Sequence, residues 1–410
     1  MTEAPRPPLP AARFLDRTTP PHIATLVLVS GLAALSLNIF LPSLPSMARH
    51  FGVDYHLMQL SVSLYLAMTA VIQVLIGPVS DRFGRRPVLV GALALFCLAT
   101  LGALLAPGFG LFLACRLLQA AIASGFALSR ATVRDMVPAD RAASMIGYVT
   151  MGMSLVPMVG PVIGGALDET FGWQATFILL GLSGLAVLAL VWLDQGETVR
   201  GGASSFGGQI RAWPELLRSQ RFWGYCLASA FASGAFFAFL GGAPLVGTTV
   251  FGMDAATLGF WFGAPAAGYL AGNFLAGRYS VRAGINRMVL AGALVTTAGL
   301  LLLWLLDAAG RAPAPVFFGL VVSVGLGNGI LLPNANAGML SVRPALAGSA
   351  AGLGGAIAIG GGAALSALAP AVLARGTGAG PLVALMLATS AASILCILWV
   401  MRRERAIGLP

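Results

Sequence analysis

Twelve apolar stretches, each about 20 residues long, follow one another along this chain, and that repetition leaves few folds open. They lie near 22–45, 57–79, 88–107, 109–131, 142–167, 173–193, 222–245, 256–277, 288–306, 315–335, 347–371 and 381–401. A helix needs roughly 20 apolar residues to cross the hydrocarbon layer, so each stretch reads as a membrane span. With 58% hydrophobic and 9% charged residues, the 410-residue chain has too little polar surface to coat a soluble globule. Backbone groups in lipid must satisfy one another, and the short alternating segments of a closed barrel are absent, which leaves helices. The expected fold class is an all-α membrane protein with twelve transmembrane helices.

A repeat divides the spans. Phe51-Gly52-Val53-Asp54 is echoed two hundred positions later by Phe251-Gly252-Met253-Asp254, and Gly77, Arg82 and Gly84 by Gly277, Arg282 and Gly284. The longest polar interval, 194–221, falls after the sixth span, where a linker between six-helix halves belongs. Within it, Trp213 is placed to anchor a short interfacial helix. The expected organisation is a disordered lead over 1–21, a bundle over 22–193, the linker, a second bundle over 222–401 and a tail over 402–410. Pseudo-symmetric halves of this kind are a signature of secondary transporters.

All 24 basic residues are arginine. Most fall on the side shared by the termini, while Arg49, Arg311 and Arg375 fall opposite, so the positive-inside rule places both termini in the cytoplasm of an inner-membrane protein. The net charge of +10 is therefore an orientation signal and not a nucleic-acid footprint. Cys97, Cys115, Cys226 and Cys396 lie inside spans without metal-ligand spacing and read as small packing residues. No cofactor or metal is expected. An enzyme would need a cluster of His, Asp, Glu or Cys at bilayer depth, and the sequence offers none.

The loop Gly77-Pro78-Val79-Ser80-Asp81-Arg82-Phe83-Gly84-Arg85-Arg86-Pro87 combines a carboxylate, helix-ending glycines and three arginines. A carboxylate at such a helix end is stabilised by an arginine or by free N–H groups of a neighbouring helix. It can serve as a latch that breaks between two conformations, or the arginines can simply anchor the loop. Arg116 is a basic residue well inside a span, where an arginine costs about 2.5–3.5 kcal/mol on insertion scales. It faces either protein and a wet cavity or the outer surface by snorkelling. Gln119 follows one turn later.

These segments resemble the major facilitator superfamily, and more narrowly its twelve-span drug:proton antiporters of the Bcr/CflA type. Gly77 to Pro87 is similar to the superfamily loop signature, nearly complete here and degraded in the second half, where Val281 replaces the acid. Pro42 and Pro45 match a Leu-Pro-x-Leu-Pro element, and Arg116 to Ala120 an R-x-x-Q-G element with alanine in place of the glycine. Arg130, Arg134 and Asp135 resemble the family's fourth-span ending. Gly152, Pro157, Gly160, Pro161, Gly164 and Gly165 resemble the antiporter signature of the fifth span, and the same residues also suit a tight packing face.

The resemblance implies a monomer that exports small amphiphilic or drug-like molecules by alternating access, coupled to protons. It implies gating by Gly77, Asp81, Arg82, Gly84, Arg85, Arg86, Arg134 and Asp135, and a coupling role for Arg116. Polar or amphipathic groups at span depth add Asn38, Tyr65, Gln119, Phe236, Phe237, Trp261, Asn328 and Asn334 as candidate cavity residues.

One departure bears on coupling. Asn38 stands where many relatives carry an aspartate, and asparagine cannot titrate; the acids lie at span ends or in loops. Asp168 or Glu169 reaching the cavity, Arg116 changing partners, or transport without protons all remain open. Export of a specific metabolite, and a membrane sensor that transports nothing, are the competing functions.

Overall fold

In the computed structural model of the chain, residues 12–137, 145, 149, 156, 159–198, 214–343, 347–374 and 378–406 are described. Gly152 and Pro157 of the fifth span lie outside them, as do residues 1–11, Asp140, Arg141, Arg200, Arg211, Trp213, Arg375 and 407–410. Every regular element among the described residues is helical.

The first half comprises α1 (Ile23–Asn38), α2 (Leu44–Phe51), α3 (Leu60–Phe83), α4 (Arg85–Leu104), α5 (Phe109–Gln119), α6 (Ser124–Met136), a helical stretch α7 over 159–171, and α8 (Gln174–Asp194). The second comprises α9 (Gln220–Thr249), α10 (Ala255–Phe262), α11 (Ala264–Ala283), α12 (Ile285–Ala308), α13 (Ala314–Ser341), α14 (Ala347–Leu373) and α15 (Gly380–Ala406). Ten helices among the described residues are long and apolar enough to cross a membrane. The eighth expected span is divided between α10 and α11 at Gly263, and the fifth is described only in part.

The repeat seen in sequence is also a repeat of backbone. Gly52 and Gly252 both end a helix and its following turn at a φ of 63°, and Gly84 and Gly284 adopt 97° and 84° between the helices they separate. That left-handed region is strained for other L residues, which explains why glycine stands at all four places. Each half then builds a matching aromatic core. Phe51 packs on Phe112 with ring centroids 5.0 Å apart, and Phe251 packs on Phe317 at 5.5 Å. Large apolar side chains such as Leu98, Leu182, Phe274 and Leu395 remain exposed, as a lipid-facing surface requires.

Of the segment expected to be disordered, residues 12–21 are instead tied down. Asp194, wholly buried at the end of α8, accepts hydrogen bonds from the backbone N–H of Leu15 (2.6 Å) and of His22 (2.9 Å) and from the Thr25 hydroxyl (2.6 Å). Gly196 N–H donates to the Thr19 carbonyl at 3.0 Å. A carboxylate shut away from water needs several donors, and the lead segment and the start of α1 supply them.

Across the halves α3 and α14 run antiparallel. Gln59 meets Ser366 near one face, and a Cβ added to Gly355 would stand 3.5 Å from Gln73 nearer the other. The start of α1, the end of α8, the start of α9 and the end of α15 therefore share one face, here the terminal face.

Candidate functional site

A cavity of about 300 Å³ lies between the halves. Asn38 of α1, Phe126 of α6 and Pro161 of α7 face it from the first half; Phe236 and Phe237 of α9, Tyr269 of α11 and Asn328 of α13 face it from the second. The wall is mainly apolar and carries no charged side chain among the described residues. Such a chamber suits small amphiphiles, with a few polar groups to orient them. Asn38 donates from Nδ2 to the Ala34 carbonyl at 2.7 Å, which turns its amide along the helix.

The chamber is closed at the face opposite the termini. Tyr55 donates its hydroxyl to the Gly241 carbonyl at 3.2 Å, and Gln59 Nε2 donates to Ser366 Oγ at 2.9 Å. These are the side-chain hydrogen bonds between halves among the described residues. Beside them the glycines of α7 meet α10 backbone to backbone: a Cβ on Gly165 would collide with the Ala255 carbonyl, and one on Gly259 with the Pro161 carbonyl. Gly164 presses on the Ile39 carbonyl within its own half, and a Cβ on Gly160 would stand 3.2 Å from Leu35. The glycine run thus forms a seam at which two helices come close enough for main-chain contact.

Four of the nine candidate cavity residues reach the wall: Asn38, Phe236, Phe237 and Asn328. Tyr65, Arg116 and Gln119 are brought together elsewhere, inside the first bundle. The fully buried Arg116 guanidinium lies 4.3 Å from the Phe40 ring centroid and 4.4 Å from that of Tyr65. Its Nη1 donates to Gln119 Oε1 at 2.6 Å and its Nη2 to the Ser36 carbonyl at 3.3 Å. Gln119 passes the chain on to Thr100 at 2.7 Å, and Tyr65 donates to Ser36 at 3.2 Å. No carboxylate touches Arg116 among the described residues. Desolvated ring contacts are worth about 2 kcal/mol each, comparable with the insertion cost of the charge. Trp261 stacks on Phe318 at 5.5 Å, and Asn334 donates to the Ile330 carbonyl at 2.8 Å; neither faces the chamber. Ser233 and Tyr269 do face it, and polarity at span depth would also have singled them out.

Asp168 stands at the far end of α7, where it accepts from the Ser46 hydroxyl at 2.9 Å, and it does not line the chamber. Half burial beside α2 pushes its carboxyl pKa upward against that hydrogen bond.

The segment Gly77 to Pro87, expected as a loop, is helical except at Gly84, where α3 gives way to α4, and its side chains form a cluster at the terminal face. Arg85 is its centre, pairing with Asp81 at 2.5 Å and with Asp135 at 3.1 Å. Glu197, beyond α8, accepts from the backbone N–H groups of Arg85 (2.9 Å) and Arg86 (3.2 Å), capping α4 as a carboxylate should at a helix N-terminus. A Cβ at Gly84 would strike that carboxylate. Arg86 covers Trp192, while Arg82 and Arg134 are exposed and nothing approaches Gly77. The second half has a different cluster in the corresponding place. Val281 is 95% exposed, and the buried Glu404 of α15 supplies the acid instead, pairing with Arg221 at 2.6 Å and accepting from Tyr225 at 3.1 Å and from the Asn286 side chain. Sequence reading missed Glu404 because the acid comes from another helix.

Residues 26–367 match the Major Facilitator Superfamily. The chain belongs to that superfamily. It is 37% identical to a chloramphenicol resistance protein of Pseudomonas aeruginosa over 54% of this chain and 54% of that protein. It is 28% identical to multidrug resistance protein D of Escherichia coli (strain K12) over 94% of this chain and 97% of that one. The chain thus spans about half the length of the first of these relatives and nearly all of the second. Among solved structures, a bacterial homolog of the human lysosomal transporter Spinster, in an inward-facing and occupied conformation, superposes with a TM-score of 0.67 at 16% identity, covering 93% of this chain and 96% of the other. At that identity the likeness concerns the fold alone. For this superfamily member it agrees with two packed helical bundles.

Proposed function

We propose that the protein is a secondary transporter that exports small amphiphilic or drug-like molecules by alternating access. The observation that carries this reading is the apolar chamber shared by two pseudo-symmetric bundles and sealed on one face by contacts between them. In this reading twelve spans form bundles over 22–193 and 222–401, the termini are cytoplasmic, and the described conformation opens inward. The narrower assignment is a monomeric drug antiporter of the Bcr/CflA type, a proposal supported by the resistance proteins to which the chain is similar.

The cycle rocks the bundles about the chamber. The α7–α10 seam opens as the two bundles approach at the terminal face, and the Asp81–Arg85–Asp135 group, paired in the described conformation, acts as the latch that breaks. Arg116 serves as the coupling residue by exchanging partners around Ser36 and Gln119.

A second reading, transport without proton coupling, is favoured by one observation: the chamber wall bears amides where a carboxylate would be needed to carry the proton. Uptake of a drug panel into inverted vesicles, with and without an imposed pH gradient, tests both. Gradient-dependent uptake establishes antiport; equal uptake without a gradient leaves facilitated export; no uptake of any compound removes transport.

A further inference from the structure

Among the described residues the chamber wall has polar groups and no counter-ion. Its polar side chains are Asn38, Ser233, Tyr269 and Asn328, all uncharged in the ordinary pH range. Asn328 is 4% exposed, and its Oδ1 is buried without a hydrogen-bond partner. Leaving such an acceptor unpaired costs about 1–3 kcal/mol, so a donor brought to it by a ligand is favoured. Asn38 is 3% exposed and spends its Nδ2 on Ala34, and no protein donor reaches its Oδ1 among the described residues. The site therefore offers amide acceptors to a ligand that brings N–H or O–H groups.

Among the described residues, the charged side chains nearest this chamber are arginines. Arg130 stands one turn beyond Phe126 on the same face of α6, its Nε buried and unpartnered. Arg116 donates to the carbonyl of Ser36, two residues before Asn38. Every described carboxylate lies at a helix end or in a loop. A permanent cation entering this space would leave water for a site with no anion among the described residues and two guanidinium groups nearby, which costs several kcal/mol for an unpaired buried ion.

Resting on the transport reading above, we infer that the chamber selects uncharged amphiphiles bearing hydrogen-bond donors and rejects lipophilic cations, with Asn38, Asn328 and Arg130 as its specificity-determining residues. The selection is a difference between two ligand classes and is built as much from what repels as from what attracts.

The test uses the full chain in nanodiscs for binding and in proteoliposomes for transport, with two probes. Chloramphenicol is uncharged and carries amide and hydroxyl donors; tetraphenylphosphonium is a permanent cation of comparable apolarity. The expected result is binding of chloramphenicol at least about tenfold tighter than of tetraphenylphosphonium, a difference of roughly 1.4 kcal/mol or more. Asn38→Asp, with Ser233→Asp as a second variant should the first fail to fold, places a carboxylate on the wall and is expected to raise tetraphenylphosphonium binding about tenfold. Equal binding of the two probes by the natural chain, binding of neither, or no gain of cation binding in either folded variant overturns the inference. Selective binding of chloramphenicol without movement of either probe supports the inference and counts against the transport reading, so the two fail separately.

Discussion

Gln59 and Ser366, 307 positions apart, are joined by a buried 2.9 Å hydrogen bond that ties the first bundle to the second. With Tyr55 on Gly241 it closes the chamber at the face opposite the termini. A contact that must break once per cycle becomes a lock when made covalent. In a background with Cys97, Cys115, Cys226 and Cys396 replaced, Gln59→Cys paired with Ser366→Cys is expected to abolish export on oxidation and recover it on reduction. Transport that continues in the fully cross-linked protein would show that this face never opens.

Asp81 and Arg85 form the inner half of the proposed latch, with Asp135 on the same guanidinium. Asp81→Asn keeps the shape and removes the charge. Its expected effect is a turnover reduced by about tenfold with ligand affinity within about threefold, since a shift of roughly 1.4 kcal/mol between conformations changes a population tenfold. Vesicle transport and equilibrium binding, measured on one preparation, separate the two quantities. Unchanged turnover would reduce the loop to a topology anchor.

Arg116 rests on Phe40 and Tyr65 and bonds to Gln119 and Ser36. Arg116→Ala is expected to abolish export while the protein still reaches the membrane. Arg116→Lys should recover little of it, because a compact ammonium does not reproduce a planar group with donors on Gln119 and Ser36 at once. Vesicle uptake normalised to protein in the membrane measures both. Normal transport by Arg116→Ala would remove the residue from the coupling scheme.

Asp194 holds three donors from the lead segment and α1. Asp194→Ala orphans all three and is expected to cost at least about 3 kcal/mol of stability, given about 1–3 kcal/mol for each buried donor left unpaired. Thermal unfolding in detergent should show a lowered midpoint, and proteolysis should cut first near Leu15. An unchanged midpoint would mean that water replaces these partners readily.

Much of the fold is legible in the residues themselves because its constraints are local. An apolar window of span length has one way to satisfy its backbone in lipid, and Gly84 and Gly284 each mark a turn whose φ other residues avoid. The terminal-face cluster was legible in part: the loop named Asp81 and Arg85, but Glu197 and Glu404 come from helix ends far along the chain. The chamber was legible least. Polarity at span depth pointed equally to Asn38 and to Gln119, yet one faces the chamber and the other an arginine inside a bundle.

The sequence by itself determined a membrane-embedded, all-helical chain in two related halves, with its superfamily signature in the loop after the second span. Only the tertiary structure decided which polar groups share a chamber, that Arg116 is caged by rings, and that the described chamber wall carries amides and no carboxylate. The physical reason is that hydropathy records depth in the bilayer, a property of each helix alone. Which way a residue turns at that depth depends on how helices from both halves pack, and residues such as Asn38 and Asn328 meet only there.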